Sequence, residues 1–334
     1  MTTSPLVVKA AAAMTGEIAR LTRDNGKSVE IDPVQVLDRS DSLPLREPGL
    51  VSPNGSCRLI EARDGWIAVN LPRPDDAELV PAWTFGEMEE DPWAAIAKAA
   101  GSETTRDFIA RGAELGLAVA QLGEIKASSW RALSLRSALA RPAPVKTRLK
   151  VVDLSTLWAG PLCGGILAAA GHDVVKAESR TRPDPVASAT PLLDRRLNGA
   201  KRRMGIDFDR SGLMDLLAGC DILITSARPR AFEALDVTPD RLFAANPALI
   251  WVAVTGHGWS GEAAFRTGFG DDAAVAGGLV DWQGGLPRFA GDAVADPLTG
   301  LAAAIAAIEA AQAGGGRMID AALSRTAAGV AALR

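Results

Sequence analysis

Strand-like and helix-like segments alternate through the second half of the chain, and this alternation restricts the fold more than any other feature. The strand-like segments are short and apolar: Leu149–Leu154, His172–Glu178, Asp221–Thr225 and Leu249–Val254. Helical patterns lie between them, at Gly164–Ala170 and Leu213–Gly219. Apolar strands that alternate with helices predict a parallel sheet with helices on both faces. The sequence therefore predicts an α/β fold whose ligands bind beyond the carboxyl ends of the strands.

The first half of the chain has a different, α+β pattern. Cys57–Ala62 and Trp66–Val69 flank an Asp-Gly dipeptide, which is typical of a β-hairpin. Helices are predicted near Lys9–Arg23, on the surface, and at Pro92–Ala100 and Thr104–Leu115. Asp91 or Ser102 is a candidate N-cap for the last two.

A proline-rich segment between Ala140 and Lys146 separates the two patterns and predicts a linker. The length of 334 residues also favours two domains over one. We therefore expect a smaller α+β domain at residues 1–143 and a parallel-sheet domain at residues 149–334.

Composition excludes several classes of protein. The three cysteines are far apart and form no CxxC pair, so we expect no disulfide framework, no metal site and a reducing, cytoplasmic setting. The N-terminus shows no signal-peptide pattern, and the longest apolar run, Leu301–Ile308, is far shorter than the roughly 20 residues of a membrane span. Two histidines and no tyrosine direct the search for catalytic groups to Asp, Glu and Lys.

The first strand-to-helix turn, Trp158–Gly165, is rich in small residues that let a ligand approach the backbone. Glu178, at the end of the next strand, stands where dinucleotide enzymes keep a ribose-binding acid. However, the glycine spacing is not G-x-G-x-x-G, and Pro161 lies inside the turn, which disfavours a nicotinamide enzyme. A turn whose glycines only pack helix on strand is the alternative.

Several motifs, in this order, resemble class III CoA transferases of the CaiB/BaiF type. They are Val151–Ser155, Ala159-Gly160-Pro161, Gly171–Glu178, Asn198–Arg203, Ile206–Phe208, Asp221–Thr225, Arg228-Pro229, Asn246-Pro247, Thr255–Gly261 and Gly316–Leu323. The resemblance covers about Leu149 to Arg334 and implies a Rossmann-like CoA-binding domain. It also implies a transferase that takes acyl-CoA and a carboxylic acid as substrates, with no permanently bound cofactor.

The first half resembles the small domain of the same family more loosely, through Arg63–Val69 and the stretch that ends at Gly123-Glu124. In the usual family chain this part follows the Rossmann-like part, whereas here it comes first. Family members generally form interlocked dimers, so the resemblance implies a homodimer, which a reordered chain either keeps or loses.

Asp296, followed by Pro297 and an apolar segment, is typical of a helix start, where the aspartate acts as an N-cap. The resemblance gives Asp296 a second role, because the family's catalytic aspartate precedes a similar helix. It implies an ionised nucleophile that forms an acyl-aspartyl anhydride and then an aspartyl-CoA thioester. Asp292, Asp271 and Asp272 are competing carboxylates, each more typical of a loop or cap.

The segment Asp194–Arg203 holds five basic residues and one acid in a chain of net charge −4. With the resemblance, Lys201 and Arg202 are candidate ligands of the CoA phosphates. The alternatives are a solvated basic face or nucleic-acid binding, and the absence of interleaved aromatic residues argues against the latter. Ala159, Gly160, Pro161 and Arg228 are implied CoA contacts as well, with Arg230 where the family usually has glycine.

The family's racemase branch implies an alternative activity that pairs the aspartate with a histidine just before Asp271. This chain has Gly270 there, and His172 and His257 are more typical of packing or turn residues. A further alternative is a CoA-binding homologue without catalytic activity, since the family's glycine-rich lid is not evident.

Overall fold

The computed structural model describes residues 3–24, 26–87, 91–137 and 144–334. The strands are β1 (Cys57–Ala62), β2 (Gly65–Asn70), β3 (Ala118–Gln121), β4 (Leu133–Ser137), β5 (Lys150–Asp153), β6 (Asp173–Ser179), β7 (Arg202–Ile206), β8 (Ile222–Thr225), β9 (Ile250–Thr255), β10 (Val280–Gln283), β11 (Leu286–Phe289) and β12 (Arg317–Ala322).

The α-helices are α1 (Pro5–Asp24), α2 (Pro74–Glu78), α3 (Val80–Thr84), α4 (Pro92–Ser102), α5 (Thr105–Glu114), α6 (Ala159–Ala169), α7 (Val186–Ala189), α8 (Pro191–Asn198), α9 (Arg210–Leu217), α10 (Pro229–Ala234), α11 (Pro239–Ala245), α12 (Gly270–Ala276), α13 (Ala295–Gln312) and α14 (Leu323–Ala331). Short 3-10 helices lie at Gln35–Leu37 and Gly261–Phe265.

A seven-stranded sheet in the order β4-β12-β9-β8-β5-β6-β7 is the centre of the fold. Its strands are parallel except β4, which pairs antiparallel with β12 at one edge. The four strands predicted from the apolar segments are β5, β6, β8 and β9, and the predicted α/β class is confirmed. Two separate apolar clusters contain side chains of these strands, because helices cover both faces of the sheet.

The helix after β5 begins at Ala159, five residues before the predicted start at Gly164. Pro161 therefore lies in the first turn of α6, where a proline does not remove a helical hydrogen bond. The predicted turn is correspondingly shorter and ends at Trp158.

Within the first half, β1, β2 and β3 form an antiparallel sheet that packs with α2–α5 around Trp83 and Phe108, whose rings stack with centroids 4.2 Å apart. The predicted hairpin is present, with Ala62 paired to Gly65. Asp91 caps α4 as predicted, by accepting a bond from Trp93 N at 3.0 Å. The cap of α5 is Thr104 rather than Ser102.

The prediction that helix α1 lies on the surface is wrong. Val7, Ala11, Met14 and Ile18 on one of its faces are fully buried in the same apolar cluster as α13. Since β4 also joins the large sheet and β1, β2 and β3 pack near α12, several elements of the first half pack with the second. The division at residues 143 and 149 stays a prediction, and residues 140–143 of the predicted linker lie outside the described part of the chain.

Among the helices that the structure describes, none is long and apolar enough to cross a lipid bilayer.

Candidate active site

A cavity of about 260 Å³ lies beyond the carboxyl ends of β5, β8 and β9, as expected for an open parallel sheet. The loops that follow these strands supply most of its wall. The 3-10 helix Gly261–Phe265 and the start of α12 form the opposite side. The lining residues used below are Leu157, Trp158, Ala159, Arg228, Arg266 and Asp296.

Asp296 reaches the cavity from the first turn of α13. The helix begins at Ala295 and its N-cap is Val294, so the interpretation of Asp296 as the N-cap is wrong. No hydrogen-bond donor contacts its carboxyl group within the described ranges 3–24, 26–87, 91–137 and 144–334. Its side chain is partly exposed to the cavity. Among the described acids of this site, Asp296 is thus the one whose carboxyl group accepts no hydrogen bond.

Gly270 has no side chain and so leaves room for the carboxyl group of Asp296. A Cβ atom built on Gly270 would be 2.5 Å from Asp296 Oδ2 and 2.5 Å from Ala293 O, far inside van der Waals contact. No side chain fits at position 270 without displacing the aspartate, which excludes a histidine there.

Three further carboxyl groups surround Asp296. Burial raises the pKa of Asp296 to about 7; Arg39 opposes this, while Asp271, Asp272 and Asp292 add to it. The expectation of a fully ionised aspartate at the helix N-terminus is therefore wrong, because burial and like charges outweigh the helix dipole. At neutral pH about half of the Asp296 side chains are ionised.

The neighbouring acids are fixed by hydrogen bonds and so differ from Asp296. Asp271 accepts bonds from Ala293 N at 2.8 Å and Asn54 Nδ2 at 2.6 Å, and burial raises its pKa, with Asp292 adding to the effect. Asp272 accepts bonds from Phe269 N and Asn70 Nδ2, at 3.0 and 2.8 Å, and burial raises its pKa to about 7.

These contacts fit the cap and loop roles that were the alternative for the competing carboxylates. Asp292, the third competitor, forms an ion pair with Arg39.

The loop that carries Trp158 is supported by two buried ion pairs. Lys201 Nζ donates to Asp153 Oδ2 at 2.7 Å, and Lys176 Nζ to Asp184 Oδ2 at 3.1 Å. Asp184 also accepts a bond from Leu157 N, and Leu157 has a φ of 69°, a left-handed conformation that costs about 1–3 kcal/mol in a non-glycine residue.

This geometry corrects the prediction for Lys201. Besides Asp153, its ammonium group donates to Pro161 O and Asn198 Oδ1, both at 2.7 Å, and its side chain is fully buried. No donor remains for a phosphate. Arg202 lies on the exposed edge strand β7, 3.9 Å from Asp173, and does not line the cavity.

The glycines of the first turn serve packing, the alternative noted above. A Cβ on Gly160 would lie 2.3 Å from Ser155 Cβ, and one on Gly164 would lie 2.7 Å from Asp153 Oδ2. Gly160 and Pro161 are buried away from the cavity, whereas Ala159 lines it.

Arg228 lies at the junction of the first cavity and a second one of about 600 Å³. Three more arginines line the second cavity: Arg73, Arg182 and Arg230. Burial lowers the pKa of Arg228, and the positive charges of Arg230 and Arg73 lower it further. Arg73 pairs with Asp76, but within the described residues no carboxylate forms an ion pair with Arg182, Arg228 or Arg230.

A third cavity, of about 380 Å³, adjoins both others. It shares Thr156, Ser226 and Ala227 with the Asp296 cavity, and Arg182 with the arginine cavity. Leu154, Ala177 and Phe208 give it apolar walls. The three cavities form one cleft that holds, in separate places, a carboxyl group, guanidinium groups without an ion pair to any described residue, and an apolar pocket.

The two histidines take no part in the cleft. His257 is 3% exposed, and burial lowers its pKa to about 3, so that it stays neutral. His172 Nδ1 accepts a bond from Leu149 N at 3.3 Å, and burial lowers its pKa.

Sequence reasoning missed Arg39, Asn54 and Arg182. Arg182 was within reach of it, because it follows the carboxyl end of β6, at the edge of the sheet where ligands bind. Arg39 and Asn54 had no such signal, since they come from an irregular segment far from α13 in sequence.

Comparison with known proteins shows which family this chain is related to. Residues 147–333 match the family model described as CoA-transferase family III. The chain is 30% identical to an acyl-CoA transferase of Fusarium pseudograminearum over 206 residues, which cover 54% of this chain and 45% of that protein. It is 31% identical over 194 residues to the succinyl-CoA–L-malate CoA-transferase beta subunit of Chloroflexus aurantiacus, covering 52% and 48%.

Among solved structures, a hypothetical protein of Mycobacterium tuberculosis matches with a TM-score of 0.51 and 25% identity, over 58% of each chain. The chain spans about half the length of the curated relatives that it matches. The family model, by contrast, covers more than half of this chain and includes β5 to α14 with the whole Asp296 cavity. The chain therefore belongs to CoA-transferase family III.

Proposed function

We propose that the protein transfers CoA from an acyl-CoA to a free carboxylate, with Asp296 as the nucleophile. The observation that supports this best is the position of Asp296 in a cavity that shares Arg228 with a second cavity, where three of four arginines form no ion pair with a described residue. A CoA thioester has the same arrangement of groups, with a reactive carbonyl at one end of a long arm and phosphates at the other.

The arginine cavity suits the anionic part of CoA. Guanidinium groups bind phosphate oxygens through charge-assisted, often bidentate hydrogen bonds. Arg182, Arg228 and Arg230 form no ion pair within the part of the chain that the structure describes, and a phosphate would relieve the repulsion of Arg228 by Arg230 and Arg73. The apolar pocket around Phe208 suits the adenine ring, which places the pantetheine arm along the path to Asp296.

The reaction needs no general base once Asp296 is ionised. Its carboxylate oxygen attacks the thioester carbonyl carbon and the C–S bond breaks, so that CoA leaves as a thiolate and an aspartyl anhydride remains. The thiolate attacks the aspartyl carbonyl carbon, which releases the donor carboxylate and forms an aspartyl-CoA thioester.

The acceptor carboxylate then attacks that thioester and releases the thiolate, leaving a second anhydride. Attack of the thiolate on the acceptor's carbonyl carbon gives the new acyl-CoA and restores the Asp296 carboxylate. No proton is gained or lost over the cycle.

Racemisation is the weaker candidate for this site. Removing and returning a proton on opposite faces of a carbon needs two bases, and position 270, next to Asp296, has no room for a side chain. A racemase would introduce deuterium from solvent next to the carbonyl of a branched acyl-CoA, and we expect none.

An exchange assay tests the proposed function. Succinyl-CoA with ¹³C-labelled L-malate is the first pair to try, because a relative is named for these substrates, followed by other short carboxylic acids. We expect label in the CoA thioester fraction, loss of this exchange in D296N, and full exchange in D215N. Asp215 is an exposed aspartate on α9 and serves as the matched control.

CoA binding by calorimetry without exchange of any acid would contradict the transferase and support a non-catalytic CoA-binding protein. Exchange that survives in D296N would contradict the role of Asp296.

A further inference from the structure

Arg39 is a charged residue of the first half that reaches the acidic groups around Asp296. Its Nε donates to Asp292 Oδ2 at 2.5 Å, and its Nη2 donates to Asp292 Oδ1 at 3.1 Å. The Arg39 side chain is 18% exposed and that of Asp292 is fully buried. The guanidinium carbon also lies 5.0 Å from the centre of the Trp158 ring, in the wall of the Asp296 cavity.

Arg39 comes from a segment that the family match does not include. It follows the short helix Gln35–Leu37, whereas the matched residues begin at position 147. The same half supplies Asn54, whose amide nitrogen donates to Asp271 Oδ2 at 2.6 Å and to Asp292 Oδ1 at 2.8 Å. The two residues thus join the first half to two of the acids that surround Asp296.

The charged groups that face Asp296 come from three elements. Helix α12 contributes Asp271 and Asp272, the loop before α13 contributes Asp292, and the first half contributes Arg39. Cys57 also faces the acids of α12, but burial raises the pKa of its thiol, so that it stays neutral. Arg228 and Arg266 also line the Asp296 cavity, but among the charged groups that shift the pKa of Asp296, Arg39 is the positive one and opposes three negative ones.

We propose that Arg39 is a positioning residue for the reaction of Asp296: held by Asp292 and Trp158, its guanidinium supplies the positive charge that keeps the Asp296 carboxyl group in its nucleophilic, ionised form. This inference rests on the proposed function, because it gives a role to the ionisation of the same nucleophile. It also gives the first half of the chain a part in the chemistry that its position outside the family match does not suggest.

The sign of the effect follows from electrostatics. A nearby positive charge favours the carboxylate, so removing Arg39 raises the pKa of Asp296, and removing the negative charge of Asp292 lowers it. Removing both leaves the net charge around Asp296 unchanged. A residue that only stabilised the fold would reduce activity at every pH without moving the titration.

The test is a titration of the Asp296 carboxyl carbon by ¹³C NMR in protein labelled at aspartate, with D296N used to assign the signal. We expect a midpoint near pH 7 in the parent protein, an upward shift of about one pH unit in R39Q and little shift in R39K. D292N should shift the midpoint downward, and the double variant R39Q/D292N should return it toward that of the parent.

An unchanged midpoint in R39Q, or an equal shift in R39K, would overturn the inference. If R39Q does not fold because it leaves Asp292 unpaired, the comparison of R39Q/D292N with D292N decides, since neither variant contains that unpaired acid. Equal midpoints in these two variants would overturn the inference. The titration needs no CoA, so a midpoint that moves as expected in a protein without exchange activity would contradict the proposed function alone.

Discussion

Two groups of basic residues, the segment Asp194–Arg203 and the arginines of the cleft, differ in whether their charges are already paired. In the segment Asp194–Arg203, Lys201 is buried on three acceptors, and Arg203 pairs with Glu178 and Asp194. Arg196 and Arg202 have acceptors or acids nearby as well. In the cleft, by contrast, Arg182, Arg228 and Arg230 form no ion pair within the described residues.

The difference shows that a count of basic residues in a segment does not identify an anion site. The first group is denser in sequence, but four of its five basic residues form ion pairs with acids when the chain folds. The second group comes from two separate segments, the loop after β6 and the start of α10, and only the fold brings them together. Free charge in the folded protein, rather than charge in the sequence, marks where an anion binds.

The largest effect that separates the two groups is expected from K201M. Removing the ammonium group leaves Asp153 buried without its main partner, and breaking a buried ion pair costs about 3–5 kcal/mol. The free energy of unfolding in urea should fall by that amount, while CoA affinity of the folded fraction stays near that of the parent. A stable K201M protein with weak CoA binding would reverse our assignment of the two groups.

R228Q should have the opposite effect to K201M, a loss of CoA affinity with little loss of stability. A hydrogen bond to a charged group contributes about 1.5–3 kcal/mol, so CoA affinity should fall by roughly 10- to 100-fold with little change in stability. Calorimetric titration with CoA measures this, and R148Q is the matched control, because Arg148 is exposed at the opposite edge of the sheet, before β5. Equal affinity of R228Q and R148Q for CoA would contradict the role of the cleft arginines.

The pH dependence separates the arginine cavity from the Asp296 cavity. Burial raises the pKa of Asp296 to about 7 in the folded protein, and in the proposed mechanism Asp296 reacts as the carboxylate. The exchange rate should therefore rise with pH through about 7, with a loss of about tenfold between its plateau and pH 6. Guanidinium groups stay charged over this range. A rate that is flat between pH 5.5 and pH 8.5 would show that Asp296 ionisation does not limit the reaction.

The smallest effect is expected from R202Q. Arg202 lies on an exposed edge strand, where a surface ion pair contributes about 0–1 kcal/mol. CoA affinity and exchange rate should stay within about twofold of the parent. A tenfold loss of CoA affinity in R202Q would restore the predicted phosphate site on β7.

Much of the fold was predictable because the apolar segments of β5, β6, β8 and β9 have no alternative to burial between helices. The buried face of α1 was also readable, since Val7, Ala11, Met14 and Ile18 recur at helical spacing. The expectation of a surface helix was wrong because it rested on the charged residues of α1 and not on this spacing.

The site was predictable only where it depends on sequence neighbours. Asp296 and Arg228 follow from motifs, and the edge of the sheet follows from the parallel strands. The pKa of Asp296 was not predictable, because Asp271 and Asp292 approach it through folding. The pairing of Lys201 with Asp153, 48 residues apart, was hidden for the same reason.

The most direct test of the central claim is to trap the activated carbonyl group of Asp296 with hydroxylamine, which releases the donor acid or CoA. The protein is incubated with succinyl-CoA and hydroxylamine, digested, and analysed by mass spectrometry for hydroxamates. Our account predicts a hydroxamate on the peptide that contains Asp296, formed only when acyl-CoA is present and more abundant at pH 8 than at pH 6. Exchange of CoA with no adduct at Asp296, or with an adduct on another acid such as Asp292, would contradict it.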